Sequence, residues 1–160
     1  MGYYYVAQVC LNGHIITTRL NISPMLSKKF CQKCGEPTIS SCKHCGTNIP
    51  GEYHVEGFIE IGSSYKAPSY CHNCGKPYPW TEKKIEAAKE LIDITEGIEE
   101  SDKEMLKSSI DDITTVNPRN EVASTKIKAI LKKLGGATQE ILISTLSSIA
   151  AETAKKTLGV

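Results

Sequence analysis

The chain has 160 residues, enough for one or two small domains, and 23% of them are charged and 40% hydrophobic. This composition is that of a globular protein and excludes a disordered chain. The formal net charge of +1 predicts no strong attraction to nucleic acid or to an anionic membrane. No apolar run is long enough to span a bilayer, and the N-terminus lacks the basic start and apolar core of a signal peptide, so we expect a soluble, cytoplasmic protein.

The first part of the chain is predicted to form short strands. Tyr3–Val9 is rich in aromatic and β-branched residues, and Ile15–Thr18 can pair with it across an Asn-Gly turn at residues 12–13. Tyr53–Ile61 is a third predicted strand, with a bulge at Gly57.

The composition changes at Trp80. Every Cys, His and aromatic residue lies at or before Trp80, and of the seven prolines only Pro118 follows it. Two prolines within residues 77–81 disfavour a helix that begins earlier, so we place the domain boundary there. The predicted domains are residues 1–80 and residues 81–160.

The second domain is predicted to contain about four amphipathic helices. Thr81 caps the first, and a capping box, Ser101 to Glu104, begins the second. The third follows Asn117-Pro118 and stops at residues 135–136, and the fourth runs from about Thr138 onward. Such helices cannot bury an apolar face alone, so they must pack on one another, on the first domain or on a partner. The predicted fold class is α+β.

The spacing of cysteine and histidine predicts two metal sites. Seven cysteines, an odd number, cannot all form disulfides, and a reducing cytoplasm requires another role for them. Eight ligands complete two tetrahedral zinc sites with none left over. They occur as four pairs, namely Cys10 and His14, Cys31 and Cys34, Cys42 and Cys45, and Cys71 and Cys74.

Three of the pairs share a Cys-x-x-Cys-Gly turn, which we call a knuckle. The knuckles are Cys31–Gly35, Cys42–Gly46 and Cys71–Gly75. Such a turn points two thiolates at one ion while backbone N–H groups face the sulfurs. It tends to need a residue that tolerates positive φ after the second ligand, which explains the glycines.

The order in which the pairs combine has two interpretations. Sequential pairing predicts tandem zinc ribbons, with Cys10, His14, Cys31 and Cys34 at one ion and Cys42, Cys45, Cys71 and Cys74 at the other. Interleaved pairing predicts a cross-brace, as in RING-type domains. We favour tandem ribbons because residues 15–30 and 46–70 are long enough for hairpins, whereas residues 35–41 are short, like a linker. A surface role for His14 is the alternative reading, but no other nearby residue is an obvious fourth ligand.

Sites closed by four protein ligands predict structural zinc and no enzyme, because a catalytic zinc keeps a position open for water. Residues 1–80 carry seven basic and four acidic side chains, and zinc-bound thiolates reduce that surplus to about zero, which disfavours nucleic-acid binding. The basic cluster Lys126, Lys128, Lys132 and Lys133 is typical of a solvated helix surface.

The leading functional hypothesis is therefore a non-enzymatic zinc-binding adaptor that binds a protein partner or self-associates, with Ile141–Leu158 as a candidate dimer face. A nucleic-acid-binding zinc ribbon is one alternative. A RING-like adaptor, in which Cys10 and His14 share an ion with Cys42 and Cys45, is another. We expect no membrane partner.

Four segments of the first domain resemble a bacterial family called domain of unknown function 2321. The resemblance implies a bacterial protein that contains zinc ribbons, and it implies no activity. It covers about half of the chain, and the helical half is the looser part. The segments are Tyr5–His14, Phe30–Gly35, Ile49–Val55 and the distinctive Pro68–Trp80.

We predict that the purified protein contains two equivalents of zinc, and that a chelator unfolds residues 1–80 while leaving helix behind. The physical reason is that each structural zinc ion supplies roughly 10–16 kcal/mol of apparent binding free energy. Elemental analysis and far-UV circular dichroism with and without chelator check this. A spectrum that is unchanged once the metal has been removed would contradict it.

Overall fold

The computed structural model describes residues 2–57 and 64–158. It confirms the α+β class, with small antiparallel sheets in the first half of the chain and helices in the second. Backbone contacts divide the chain into two compact units, Met1–Lys83 and Lys84–Val160. The units meet a few residues beyond the predicted boundary at residues 77–81, because a helix that begins at Pro79 runs through this point.

The first unit contains two small antiparallel sheets. One pairs the first and last strands of the unit, and the other has three strands with β2 in the centre. The predicted pairing across residues 12–13 is observed, since Gln8 lies opposite Thr17 and Val9 opposite Ile15. The strands are β1 (Tyr3–Val6), β2 (Gln8–Cys10), β3 (Ile15–Thr17), β4 (Thr38–Ile39) and β5 (Pro50–His54).

The predicted strand Tyr3–Val9 is interrupted at Ala7. Ala7 is fully buried, and its N–H donates to the carbonyl of Ile49 at 2.9 Å, outside both sheets. The chain thereby leaves the sheet of β1 and β5 and enters the sheet of β2, β3 and β4. A tertiary hydrogen bond has replaced the strand hydrogen bond that the local residue types favour.

The third predicted strand is displaced towards the N-terminus. β5 ends at His54, which pairs with Tyr3 at the start of β1, so the ladder ends where its partner strand begins. Val55 to Gly57 lie outside any strand, and Gly57 has a φ of 81° in a turn rather than a place in a strand bulge. Residues 58–61 of the predicted strand lie outside the described residues.

The second unit is built from amphipathic helices. Four lie wholly within it among the described residues, and α1 enters it from the first unit. No helix in the described ranges combines the length and apolar character that a membrane crossing requires. The helices are α1 (Pro79–Ile94), α2 (Glu100–Thr114), α3 (Asn120–Leu131), α4 (Gly136–Ile149) and α5 (Glu152–Leu158).

Apolar side chains at helical spacing meet in one core in this unit. Ile92 of α1, Ile110 of α2 and Ile127 of α3 are fully buried there, together with Leu142 and Leu146 of α4. Two predicted helix starts are wrong. Pro79 occupies the first helical position, where proline is well tolerated, and α2 begins at Glu100, so that Ser101 lies inside its first turn without capping it.

The predicted last helix is broken in two. Ala150 has extended backbone angles, φ −68° and ψ 142°. The N–H of Ala151 donates to the carbonyl of Ile113, near the end of α2, at 2.7 Å. Residues 141–158 are therefore not one continuous helix, because a hydrogen bond to a distant carbonyl replaces the intrahelical one.

A buried asparagine ties three segments of this unit together. The Asn120 side chain donates to the carbonyls of Asp112 at 2.6 Å and Thr115 at 2.7 Å. Its oxygen accepts from the N–H of Asn117 at 2.9 Å and from the hydroxyl of Thr153 at 3.0 Å. One amide thus forms hydrogen bonds with polar groups at the end of α2, in the turn before α3 and on α5.

We predict that Asn120→Ala lowers the free energy of unfolding of the helical unit by about 2 kcal/mol or more, because alanine cannot make the four hydrogen bonds of this buried amide. Chemical denaturation of the metal-loaded chain, followed by far-UV circular dichroism, measures this. Val122→Ala on the same helix is the control, since Val122 is exposed and its truncation should change stability by less than about 0.5 kcal/mol. Equal stability of the two variants would contradict the conclusion that the Asn120 hydrogen bonds stabilise the helical unit.

Candidate metal centres

The three knuckles have one backbone conformation. In each, the N–H of the first cysteine donates to the carbonyl five residues later, at 2.8 Å in all three. The N–H of the glycine donates back to the carbonyl of the first cysteine, at 2.8 to 2.9 Å. Single β-bridges flank these turns and pair Phe30 with Pro37, Ser41 with Asn48 and Tyr70 with Pro77. The turn is therefore closed by local hydrogen bonds.

The knuckle glycines are required for their backbone angle. Gly35, Gly46 and Gly75 have φ values of 73°, 75° and 70°. A Cβ at any of them would meet no atom within 4 Å, so space does not demand glycine there. The left-handed backbone conformation is what favours glycine, since it costs residues with a side chain roughly 1–2 kcal/mol.

The Cys10–His14 loop differs from the knuckles. The N–H of Cys10 donates to the carbonyl of His14 at 2.9 Å, and the N–H of His14 donates to the sulfur of Cys10 at 3.2 Å. Gly13 has a φ of 85°, and a Cβ there would lie 3.1 Å from the Cβ of Trp80. Both the backbone angle and the close approach of Trp80 therefore favour glycine.

The first donor set is three sulfurs and one imidazole nitrogen, from Cys10, His14, Cys31 and Cys34. The Nδ1 atom of His14 lies 3.5 Å from the sulfur of Cys10, 3.6 Å from that of Cys31 and 3.3 Å from that of Cys34. The sulfurs of Cys10 and Cys34 are 3.8 Å apart. His14 thus points its ring at all three thiols.

The second donor set is four sulfurs, from Cys42, Cys45, Cys71 and Cys74. The sulfurs of Cys42 and Cys74 are 3.8 Å apart, and those of Cys45 and Cys71 are 3.6 Å apart. In each set all four donor atoms lie within 4.8 Å of one another. All eight predicted site residues are therefore brought together in two groups of four.

These separations fit a tetrahedral metal ion. A regular tetrahedron with metal–sulfur bonds of about 2.3 Å has edges of about 3.8 Å, and a nitrogen ligand shortens them slightly. The measured sulfur separations of 3.6 to 3.8 Å match those edges and are far longer than a disulfide bond. Both groups could hold a metal ion.

The grouping is sequential along the chain. The first two pairs share one group and the last two share the other. The RING-like alternative required Cys10 and His14 to meet Cys42 and Cys45, and the structure places them with Cys31 and Cys34 instead. The cross-braced arrangement is therefore excluded.

Local hydrogen bonds favour the thiolate form at three of the cysteines, Cys71 and, more strongly, Cys31 and Cys45. Burial alone raises the pKa of Cys31, but the backbone N–H groups of Lys33 and Cys34 more than offset it and lower that pKa to about 6. A hydrogen bond with the Thr47 hydroxyl is the main reason that the pKa of Cys45 falls to about 5. Because a thiol must lose its proton to ligate a metal, these contacts prepare the three residues for binding.

Sequence reasoning missed two aromatic residues beside the sites. It treated residues 77–81 as a boundary, whereas Tyr78 and Trp80 are buried with Cys42 and Cys71 in the core of the first unit. Their rings stack with centroids 4.7 Å apart at an interplanar angle of 13°. The indole N–H of Trp80 donates to the carbonyl of Pro68 at 2.9 Å. The chain has one tryptophan, and its position close to a knuckle was the sequence signal that could have indicated a core residue here.

The fold and these sites define an α+β protein with two possible metal centres, one of three cysteines and a histidine and one of four cysteines. Residues 3–158 match a bacterial family, domain of unknown function 2321, which is described as an uncharacterised protein conserved in bacteria. The chain belongs to this family, and the match includes the helical half. No curated protein and no solved structure matches the chain.

We predict that Gly46→Ala weakens zinc binding at the four-cysteine site about 5- to 30-fold, which corresponds to the roughly 1–2 kcal/mol cost of a left-handed alanine. Competition with a chelator of known affinity measures the change. Gly135→Ala is the matched control, because a Cβ there also enters open space but Gly135 has a φ of −109°. The explanation fails if the two variants bind zinc equally well.

Proposed function

We propose that this chain is a non-enzymatic, cytoplasmic zinc-binding adaptor whose two zinc ions are structural. Cys10, His14, Cys31 and Cys34 would hold one ion, and the other four cysteines would hold the second. The observation that carries the proposal is that each group supplies four donors at tetrahedral spacing, which completes the usual coordination of structural zinc. Thiolates and imidazole are also the donors that zinc prefers in such sites.

Zinc binding would supply the stability that the first unit lacks in its core. Among the described residues of this unit the buried apolar ones are few, and two of the proposed ligands, Cys42 and Cys71, are themselves part of their cluster. A unit of about 80 residues with so small a core usually depends on metals or disulfides. In the metal-bound state, the knuckles would therefore act as fixed points from which loops are presented.

One of these loops is a candidate contact surface. Its apolar side chains are unusually exposed, at 50% for Ile22, 76% for Met25, 50% for Leu26 and 60% for Phe30. We call residues 21–30 the apolar loop. Pro24–Leu26 form a single 3-10 turn in its centre, with no buried residue. Large apolar side chains concentrated on the surface commonly mark a protein–protein contact.

The apolar loop is held in place by a buried glutamine. The Gln8 side chain lies in β2, where its oxygen accepts from the N–H of Lys28 at 3.1 Å. Its nitrogen donates to the carbonyl of Lys28 at 3.1 Å and to the hydroxyl of Ser27 at 3.2 Å. The backbone is thus fixed while the apolar side chains face outward, and preorganisation of this kind lowers the entropic cost of binding.

The charges beside the loop indicate the chemistry of the partner. Lys28, Lys29 and Lys33 are exposed, and no acidic residue occurs from Ile15 to Gly35. The proposed partner is a protein with an apolar groove and an acidic rim. A nucleic-acid partner is less favoured, because two lysines of the basic cluster in α3 and the turn after it already have partners within the protein. Lys133 pairs with Asp102 at 2.8 Å, and Lys128 donates to the carbonyl of Thr157.

We predict that replacing Ile22, Met25 and Leu26 by serine abolishes partner binding and leaves two zinc ions per chain. In the proposal, the apolar loop makes the contact with the partner, and none of the proposed metal-binding residues lies in it. Quantitative co-purification from the native host, with wild-type and variant chains isotopically distinguished, measures the retained proteins. The control replaces Val116 and Val122 by serine, since both are exposed in the second unit at 76% and 52%.

The expected result is an acidic protein retained by the wild-type chain and by the control, and lost by the loop variant. Retention of the same proteins by all three chains would contradict the proposal that the apolar loop is the contact surface. Iron in place of zinc, or fewer than two equivalents of metal, would contradict the structural-zinc proposal independently of the loop.

A further inference from the structure

The hydroxyl of Tyr78 is a buried polar group without a hydrogen-bond partner. Tyr78 is 1% exposed, and its oxygen has no partner of acceptable geometry among the described residues. An unsatisfied hydroxyl at such a position is unfavourable, because the group has lost its hydrogen bonds to water and gained none in the protein. A group of this kind requires an explanation, and an ion or charge that enters the site is one of the few available.

The ring of Tyr78 is held so that the hydroxyl cannot turn towards solvent. One face stacks on Trp80, which is itself anchored by its hydrogen bond to Pro68. The backbone N–H of Tyr78 donates to Ser69 at 2.9 Å, and its carbonyl accepts from the N–H of Thr81 at 2.8 Å. Both the backbone and the ring plane are therefore fixed.

The neighbours of this hydroxyl are ligands of the four-cysteine site. Tyr78 packs in the same buried cluster as Cys42 and Cys71. The segments that carry Cys71 and Tyr78 pair antiparallel about the Tyr70–Pro77 bridge, where the N–H of Cys71 donates to Lys76 and that of Tyr78 to Ser69. Tyr78 thus lies opposite a residue two positions before Cys71, which puts the two side chains on the same face of the pairing. A phenol is an O–H donor, so this hydroxyl can donate to a sulfur on that face.

We propose that the Tyr78 hydroxyl donates a hydrogen bond to the metal-bound thiolate of Cys71 and so positions this ligand. The inference rests on the proposed zinc binding. A neutral thiol is a weak acceptor, whereas a thiolate is a strong one, so the partner that the hydroxyl lacks is created when Cys71 ligates the ion. Four thiolates and one Zn²⁺ carry a net charge of −2, and a hydrogen bond from a buried donor to the buried Cys71 sulfur stabilises that charge.

The test uses the full chain loaded with ¹¹³Cd, which replaces zinc and gives one NMR resonance for each site. Tyr78→Phe removes only the hydroxyl. We expect the resonance of the four-cysteine site to shift while that of the Cys10, His14, Cys31 and Cys34 site keeps its position. Zinc affinity at the four-cysteine site should fall about tenfold or more, as for other groups that orient metal ligands.

The matched control is Tyr65→Phe. Tyr65 packs against the same buried cluster, but its hydroxyl donates to the carbonyl of Pro50 at 2.7 Å. A loss of packing or of a tyrosine hydroxyl in general would affect both variants, whereas the proposed contact predicts a ¹¹³Cd shift for Tyr78→Phe alone. A cobalt-loaded sample provides a second readout, because removing a hydrogen bond from a thiolate moves its charge-transfer band to lower energy.

A measurement on the wild-type chain covers the case in which Tyr78→Phe does not fold. The hydroxyl proton of Tyr78 should exchange slowly and correlate with the ¹¹³Cd nucleus through the sulfur of Cys71. Absence of that correlation, or a four-cysteine resonance unchanged in Tyr78→Phe, would overturn the inference. Failure of the wild-type chain to bind two cadmium ions would instead overturn the proposed function, so the two failures are distinguishable.

Discussion

At each cysteine-rich centre four donor atoms converge on one point, and the organisation of the first unit depends on that convergence. The four loops that carry the donors are each closed by backbone hydrogen bonds and a glycine of positive φ. In the described part of the unit, a small apolar cluster that includes Ala7, Val9 and Ile49 lies around them. Closed loops that gather donor atoms thus organise this unit, whereas a bigger domain relies on the burial of large side chains.

Trp80 joins the two centres within the first unit. Its Cβ and ring lie against Gly13, in the loop of the three-cysteine centre, while the ring stacks on Tyr78, beside the four-cysteine centre. The first turn of α1 belongs to the same unit, since Lys83 contacts the side-chain oxygens of Asn12 at 2.9 Å and Glu36 at 3.0 Å. The start of this helix is therefore part of the scaffold that positions the donors.

The second unit follows a different physical principle. Its helices bury apolar stripes against one another, and the polar groups at their ends are satisfied by side chains such as Asn120 and by the carbonyl of Ile113. Such a unit needs no metal to form its core. The two halves of one family member thus combine loops organised around donor atoms with helices organised by side-chain packing.

The sequence by itself determined the features whose causes lie within a few residues. The knuckle turns, the glycines after them and the amphipathic periods of α2 and α3 follow from local hydrogen bonds, backbone angles and spacing. Tertiary structure alone decided the break at Ala7, made by the carbonyl of Ile49, and the break before Ala151, made by the carbonyl of Ile113. It also decided that Tyr78 and Trp80 are core residues rather than linker. Each of these depends on a group far along the chain, which residue types and spacing do not encode.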